Sequence, residues 1–199
     1  MSRVLLLSGG MDSTAIAHWL EPEALLFIDY GQKCAAAEQR SAERVASQVQ
    51  RPLASLSIDC APVGEDLLRG PNAPTKPTGE VWWPYRNQLL ATFASAWALG
   101  NGCSEVLIGT VAGDGDVHRD GTTWFLQSLD ALISGQEGGV HISAPALALT
   151  TEALIEASGI TRDVLAGSYS CHRSSFPCGE CGGCSKRDQI LGSLRIGPR

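Results

Sequence analysis

The sequence predicts an α/β fold: a doubly wound, parallel five-stranded sheet with helices on both faces and a metal-binding cysteine loop near its C-terminal end. Three observations predict it. Short apolar runs of strand length alternate with longer stretches that suit helices. The first run, Val4–Leu7, leads directly into Ser8-Gly9-Gly10-Met11-Asp12-Ser13. Four of the seven cysteines fall between Cys171 and Cys184.

Each element follows in order. Val4–Leu7 reads as a buried strand. Ser13–Leu20 contains no Gly or Pro and reads as a helix. Leu25–Ile28, after the turn at Glu21-Pro22, is the second strand. Cys34–Val49, rich in Ala, Glu, Gln and Arg, is a helix. Leu53–Ile58 is the third strand. Residues 59–80 carry Pro62, Pro71, Pro74 and Pro77 and read as a loop or lid. Asn87–Leu99 is a helix with Gly100 as its expected C-cap. Val106–Ile108 is the fourth strand, Trp124–Ser134 a helix ending at Gly135, and Val140–Ile142 the fifth strand. Thr150 caps a short helix. In such a sheet ligands bind beyond the carboxyl ends of the strands, where the strand order reverses. The 8–13 loop, Asp29, the 59–80 stretch and Gly109–Asp120 all fall on that side.

Composition narrows the class. At 199 residues with 44% hydrophobic content, the chain suits one domain spanning 1–199, with residues 171–184 a loop within it. The formal net charge is −6 and no basic run appears, so a nucleic-acid partner is not expected. No apolar stretch approaches the roughly 20 residues of a membrane span. Met1-Ser2-Arg3 runs straight into a strand with no secretory signal, so a cytoplasmic location is expected.

Two motifs carry chemistry. Ser8–Ser13 sits on a strand–loop–helix corner, where glycines let the backbone approach a ligand and a helix N-terminus presents free N–H groups to phosphate. The Ser8 and Ser13 hydroxyls add donors, and Asp12 suits a magnesium ion. No Gly-Lys-Ser/Thr triplet accompanies the glycines, so the Walker phosphate loop is excluded. A serine-capped Gly-Gly turn is the plainer alternative. Cys171, Cys178, Cys181 and Cys184 are spaced C-x6-C-x2-C-x2-C. Four thiolates in one short loop suit structural, tetrahedral zinc, with an iron–sulfur cluster as the rival. Cys34, Cys60 and Cys103 read as buried thiols.

Together these segments resemble the QueC family, the 7-cyano-7-deazaguanine synthases among the PP-loop ATP pyrophosphatases. Phe27-Ile28-Asp29-Tyr30-Gly31-Gln32 matches the family's segment after its second strand. Arg86-Asn87, behind Trp83-Pro84-Tyr85, matches the pair that opens its next long helix. Val106-Leu107-Ile108-Gly109 matches a later strand, followed by an acidic loop with Asp114 and Asp120. Ser170-Cys171 and the cysteine loop close the pattern, with Lys186-Arg187 behind. The resemblance runs from about residue 4 to about residue 190.

It implies a C–N bond-forming ligase that adenylates the carboxylate of 7-carboxy-7-deazaguanine with ATP and magnesium, releasing pyrophosphate. Ammonia then displaces AMP to give an amide, and a second ATP leads to the nitrile. The ATP-binding set is Ser8, Gly9, Gly10, Met11, Asp12, Ser13, Asp29 and Gly109. The substrate set is Tyr30, Trp83, Tyr85, Arg86, Asn87, Asp114, His118 and Asp120, with Asp12, Arg86 and Asp120 expected to be catalytic. Trp82 and Trp83 could stack on a base or cover a core edge. Arg86 could pair with phosphate or carboxylate, or bridge along its helix. Asp114, Asp116 and Asp120 could be turn residues, and His118 a solvent-facing one.

Two stretches depart from the family pattern. Lys33-Cys34 follows Tyr-Gly-Gln, where the family carries a basic residue or histidine. His118-Arg119-Asp120-Gly121-Thr122 stands where the family carries Tyr-Pro-Asp-Cys-Arg. Two alternatives therefore stay open: a paralogue that stops at the adenylate or amide or joins the acyl group to another amine such as a protein, and a nucleotide-binding module without turnover. The expected partners are a small deazapurine, ammonia and a second copy of the chain in a homodimer.

Overall fold

The computed structural model describes residues 2–60 and 85–194. The proline-rich stretch from residue 61, with Trp82 and Trp83, lies outside the described residues. The described elements are β1 (Arg3–Leu6), α1 (Met11–Leu20), β2 (Ala24–Asp29), α2 (Ala35–Val49), β3 (Leu53–Ser57), α3 (Arg86–Gly100), β4 (Glu105–Leu107), α4 (Asp114–Val117), a 3-10 turn (Arg119–Gly121), α5 (Thr123–Ser134), β5 (His141–Ser143), α6 (Thr151–Ser158), α7 (Arg162–Leu165) and α8 (Gly182–Ser193).

The five strands form one parallel sheet in the order β3-β2-β1-β4-β5. Leu5 sits at its centre, paired with Leu25 on one side and Leu107 on the other. Strand side chains alternate between the two faces. Leu5, Leu7, Leu25, Phe27 and Leu107 pack on one face against Ile16 of α1, Val45 of α2, Leu154 of α6 and Ile190 of α8. Val4, Leu26, Ile28, Val106 and Ile108 pack on the other against α3 and α5. Both faces are covered, which is why β1 and β2 read as continuous apolar runs rather than alternating ones. On α3 the buried residues are Ala91, Ala94, Ser95 and Ala98, small enough to bring that helix close to the sheet.

The winding positions the site. The chain steps β1-β2-β3 in one direction with α1 and α2 on the first face. It then returns to β4 through α3 on the second face and continues to β5 through α5. The reversal between β1 and β4 opens a crevice beyond their carboxyl ends.

Several local details differ from expectation. Gly100 ends α3 as its last helical residue. The turn is made two residues on, where Gly102 has φ +72° and Cys103 N–H donates to Ala98 O at 2.9 Å. That is a Schellman closure, and it requires glycine at residue 102. The fifth strand is shifted one residue, to His141–Ser143. α4, α7 and α8 appear where no helix is expected. Thr150 caps α6 as expected, accepting from Ala153 N–H at 3.2 Å.

Candidate active site

A cavity of about 750 Å³ fills the β1/β4 crevice. One wall is the 8–13 loop with the first turn of α1; Ser8, Gly10, Met11, Asp12 and Ser13 all line it. Gly10 is the N-cap of α1 and brings no side-chain capping bond, so the helix end faces the cavity. The two serines brace the loop. Ser8 Oγ lies 3.2 Å from Ser13 Oγ and accepts from Gly10 N–H at 3.2 Å. Gly9 stands behind this wall with φ +74°. Its carbonyl accepts from Ser41 Oγ at 2.9 Å and from Tyr169 N–H at 2.8 Å. Gly109, at the end of β4, lines the cavity beside α1, where a Cβ would lie 3.4 Å from Ser13.

Asp12 is held from both sides. Oδ1 accepts from Thr151 Oγ1 at 2.7 Å, and Oδ2 lies 3.5 Å from Lys186 Nζ. Burial pushes its carboxyl above the ordinary range, while Lys186 and the Thr151 hydrogen bond pull it back. Such a carboxylate gains from a divalent cation.

The opposite wall is built from β2 and α3. Tyr30 and Arg86 face each other there, and burial drives the Tyr30 phenol up to about 12 while the hydrogen-bonded Arg86 opposes the rise. Glu38 reaches the cavity from α2 and accepts from Gln32 Nε2 at 2.8 Å. Burial raises its carboxyl; Gln32, Cys34 and Arg86 oppose the rise. The Cys34 thiol is pushed up by burial and by Glu38, which makes it a poor nucleophile.

The third wall is the acidic loop. Asp114, His118 and Asp120 line the cavity. Asp114 Oδ2 accepts from Val111 N–H at 3.0 Å. Asp120 Oδ2 accepts from Asn87 N–H at 3.3 Å and its carbonyl from Asn87 Nδ2 at 3.2 Å. Asp120 thus caps the start of α3, setting the helix that carries Arg86. Asp29 stands outside the cavity wall, its Oδ1 taken by Gly31 N–H at 2.9 Å. Tyr85 also stands outside it, as the 74% exposed N-cap of α3 with φ +60°. Trp83 lies outside the described residues.

The four cysteine sulfurs of residues 171, 178, 181 and 184 lie within 4.8 Å of one another. Cys178 Sγ and Cys184 Sγ are 3.9 Å apart. Four sulfurs about 2.3 Å from one tetrahedral ion stand about 3.8 Å from each other, so the set fits a single metal ion. In a four-iron cluster each sulfur binds a separate iron, which spreads them further. Burial works against the Cys171 thiolate, but backbone N–H groups of Arg173, Cys178 and Ser174 outweigh it and hold the thiol below its ordinary range, while burial pushes the Cys184 thiol up.

Lys186, Thr151, Glu38 and Gln32 are missed by sequence reasoning. Gln32 and Lys186 carried a local signal, as the end of the Phe27–Gln32 segment and as the cation two residues beyond the last cysteine; Thr151 and Glu38 carried none.

A doubly wound sheet with a glycine-rich loop and helix N-terminus at its switch point, closed by a four-cysteine cluster that could hold a metal, defines an α/β domain of the PP-loop type. The chain belongs to the QueC family: the model for the queuosine biosynthesis protein QueC matches residues 2–194. A relative named 7-cyano-7-deazaguanine synthase from Methanosarcina mazei is 25% identical, covering 98% of this chain and 96% of its own length. Another of that name from Chlorobium luteolum is 30% identical, covering 94% and 90%. Among solved structures, the U34-tRNA thiolase NcsA from Methanococcus maripaludis, determined with its [4Fe-4S] cluster, matches with a TM-score of 0.56 at 15% identity, over 96% of this chain and 63% of that one. NMN synthetase from Francisella tularensis matches with a TM-score of 0.53 at 15% identity, over 98% and 78%. These two share the fold. Among the described residues, no helix is long and apolar enough to cross a membrane.

Proposed function

We propose that the chain is an ATP-dependent ligase that adenylates the carboxylate of 7-carboxy-7-deazaguanine, lets ammonia displace AMP to form the amide, and activates that amide with a second ATP to give 7-cyano-7-deazaguanine. The observation that carries this is the facing of Asp12 and the α1 N-terminus on one wall of a single cavity by Arg86 on the other.

The 8–13 loop and the α1 N-terminus bind the β- and γ-phosphates, which leave as pyrophosphate. Asp12 would hold the magnesium ion that accompanies them. Arg86 orients the substrate carboxylate with its planar fork, and Tyr30 fixes that fork. Asp114 and His118 face the deazapurine. The enclosed site shields the acyl-adenylate from water until ammonia attacks its carbonyl carbon and AMP departs. Zinc is the ion that the four thiolates fit, and it fixes the loop rather than the chemistry. The protein acts in the cytoplasm as a homodimer.

One observation favours a second reading. The His118–Thr122 stretch lacks the Cys-Arg pair of the family's acidic loop, and this is the wall that meets the substrate. A relative that stops at the amide, or transfers the acyl group to another amine, would need no nitrile-forming loop.

The test is mass spectrometry of the products from 7-carboxy-7-deazaguanine, ATP and ammonium. AMP, pyrophosphate and the nitrile are expected, and Asp12→Asn should lower turnover at least 100-fold with the fold retained. ADP and phosphate as products would reject the pyrophosphatase reading. Consumption of the carboxylate with the amide left inert would select the second reading.

A further inference from the structure

Lys186 reaches the nucleotide wall from an element that the metal loop builds. Cys181 is the N-cap of α8, and its Sγ accepts from Cys184 N–H at 3.4 Å. The sulfur that would ligate the ion therefore also starts the helix. Gly183 presses the first turn of α8 onto the 170–172 segment: a Cβ there would collide with Ser170 O and lie 2.7 Å from His172 Nε2. Three residues further on, Lys186 Nζ sits 3.5 Å from Asp12 Oδ2, on the cavity wall. Its side chain is 49% exposed, so as a salt bridge it contributes little to stability. Its placement beside Asp12, in the cavity that Ser8 and Gly10 also line, suits an anion arriving there.

We propose that Lys186 contacts the phosphates of bound ATP, and that the metal sets its position through the first turn of α8, so that metal binding and nucleotide binding are coupled. The inference rests on the ATP reading above. In the free protein Lys186 neutralises Asp12. With ATP and magnesium bound, Asp12 would be free to ligate the magnesium and the Lys186 ammonium would turn to the phosphates. The four-cysteine loop is then a part of the nucleotide site and not a remote staple. Coupling between two sites is reciprocal: if the metal tightens ATP, ATP tightens the metal by the same factor.

The experiment is an equilibrium competition for the metal between the holoprotein and a zinc-selective chelator, with and without the α,β-methylene analogue of ATP and magnesium. The analogue is expected to raise the apparent metal affinity at least threefold in the wild-type protein. Lys186→Met, folded and metal-loaded by thermal melt and elemental analysis, is expected to lose that increase, and Lys186→Arg to keep part of it. An unchanged increase in Lys186→Met overturns the proposal. So does a wild-type protein whose metal affinity ignores the analogue while calorimetry shows the analogue bound. A wild-type protein that does not bind the analogue overturns the ATP reading itself and this inference with it.

Discussion

Gly9 and Gly10 are neighbours in one loop, and alanine should affect them in opposite ways. At Gly9 the backbone is left-handed, with φ +74°. A Cβ there would lie 2.6 Å from Ser41 Cβ, 2.8 Å from Glu38 O and 2.9 Å from Ala42 N, all on α2. None of these atoms is the end of a flexible side chain, so helix and loop must separate. The left-handed backbone costs an L-residue about 1–2 kcal/mol, and overpacking adds about 1–3 kcal/mol. The sum of about 2–5 kcal/mol corresponds to a fall in Tm of roughly 4–20 °C for a domain of this size. At Gly10 the backbone is extended, with φ −71°, and the nearest atom to a new Cβ is Ser8 Oγ at 3.3 Å. Gly10→Ala should melt within about 2 °C of wild type while its methyl group crowds the phosphate wall and weakens ATP binding at least tenfold. Thermal melts and calorimetric titration of the ATP analogue on both variants decide the matter. Equal melting temperatures for the two variants, or a Gly10→Ala protein that binds nucleotide as well as wild type, would refute the division of labour drawn here.

Two further outcomes are expected. Elemental analysis should return about one zinc per chain, and Cys178→Ser should cut the yield of folded protein; iron with sulfide would point to a cluster instead. Glu38 supplies a pH test whose sign is fixed by its burial. A carboxyl raised in the folded state contributes stability at low pH that is lost as pH climbs through its folded value. Glu38→Gln keeps the oxygen that accepts from Gln32, so it should melt a few degrees above wild type at pH 8. The gap should close as pH falls below about 4.3, where the unfolded carboxyl is also protonated. Melts from pH 3.5 to pH 8 showing no trend, or the opposite one, would contradict this.

The strands were legible because a parallel sheet covered on both faces writes its strands as unbroken apolar runs, as in Val4–Leu7 and Leu25–Ile28. The clustering of Cys171, Cys178, Cys181 and Cys184 was legible because four cysteines in one short loop are close in sequence and have few other uses. α8 was not, because Gly182 and Gly183 open it and are poor helix formers. The helix is held by the Cys181 cap and by the packing of Ile190 and Leu191. Asp12 could be read from the loop, but its partner Thr151 lies 139 residues away and only the folded sheet joins them. Glu38 was hidden for a related reason: it sits on a helix of ordinary charged composition, and nothing local marks the one carboxylate that turns inward.

The anchoring of Gly9 bears on when this molecule can begin to work. Ser41 Oγ lies 2.9 Å from Gly9 O and 3.0 Å from Gly167 O, while Tyr169 N–H reaches Gly9 O at 2.8 Å. The floor of the loop is thus laid by a hydroxyl made early and by a backbone stretch made 126 residues later. During synthesis on the ribosome Gly9 runs 160 residues ahead of Tyr169, so its support arrives only when Tyr169 has cleared the exit tunnel. A chain stopped before Tyr169 therefore carries the loop without the Tyr169 bond to Gly9, the contact that ties its floor to the segment leading into the cysteine cluster.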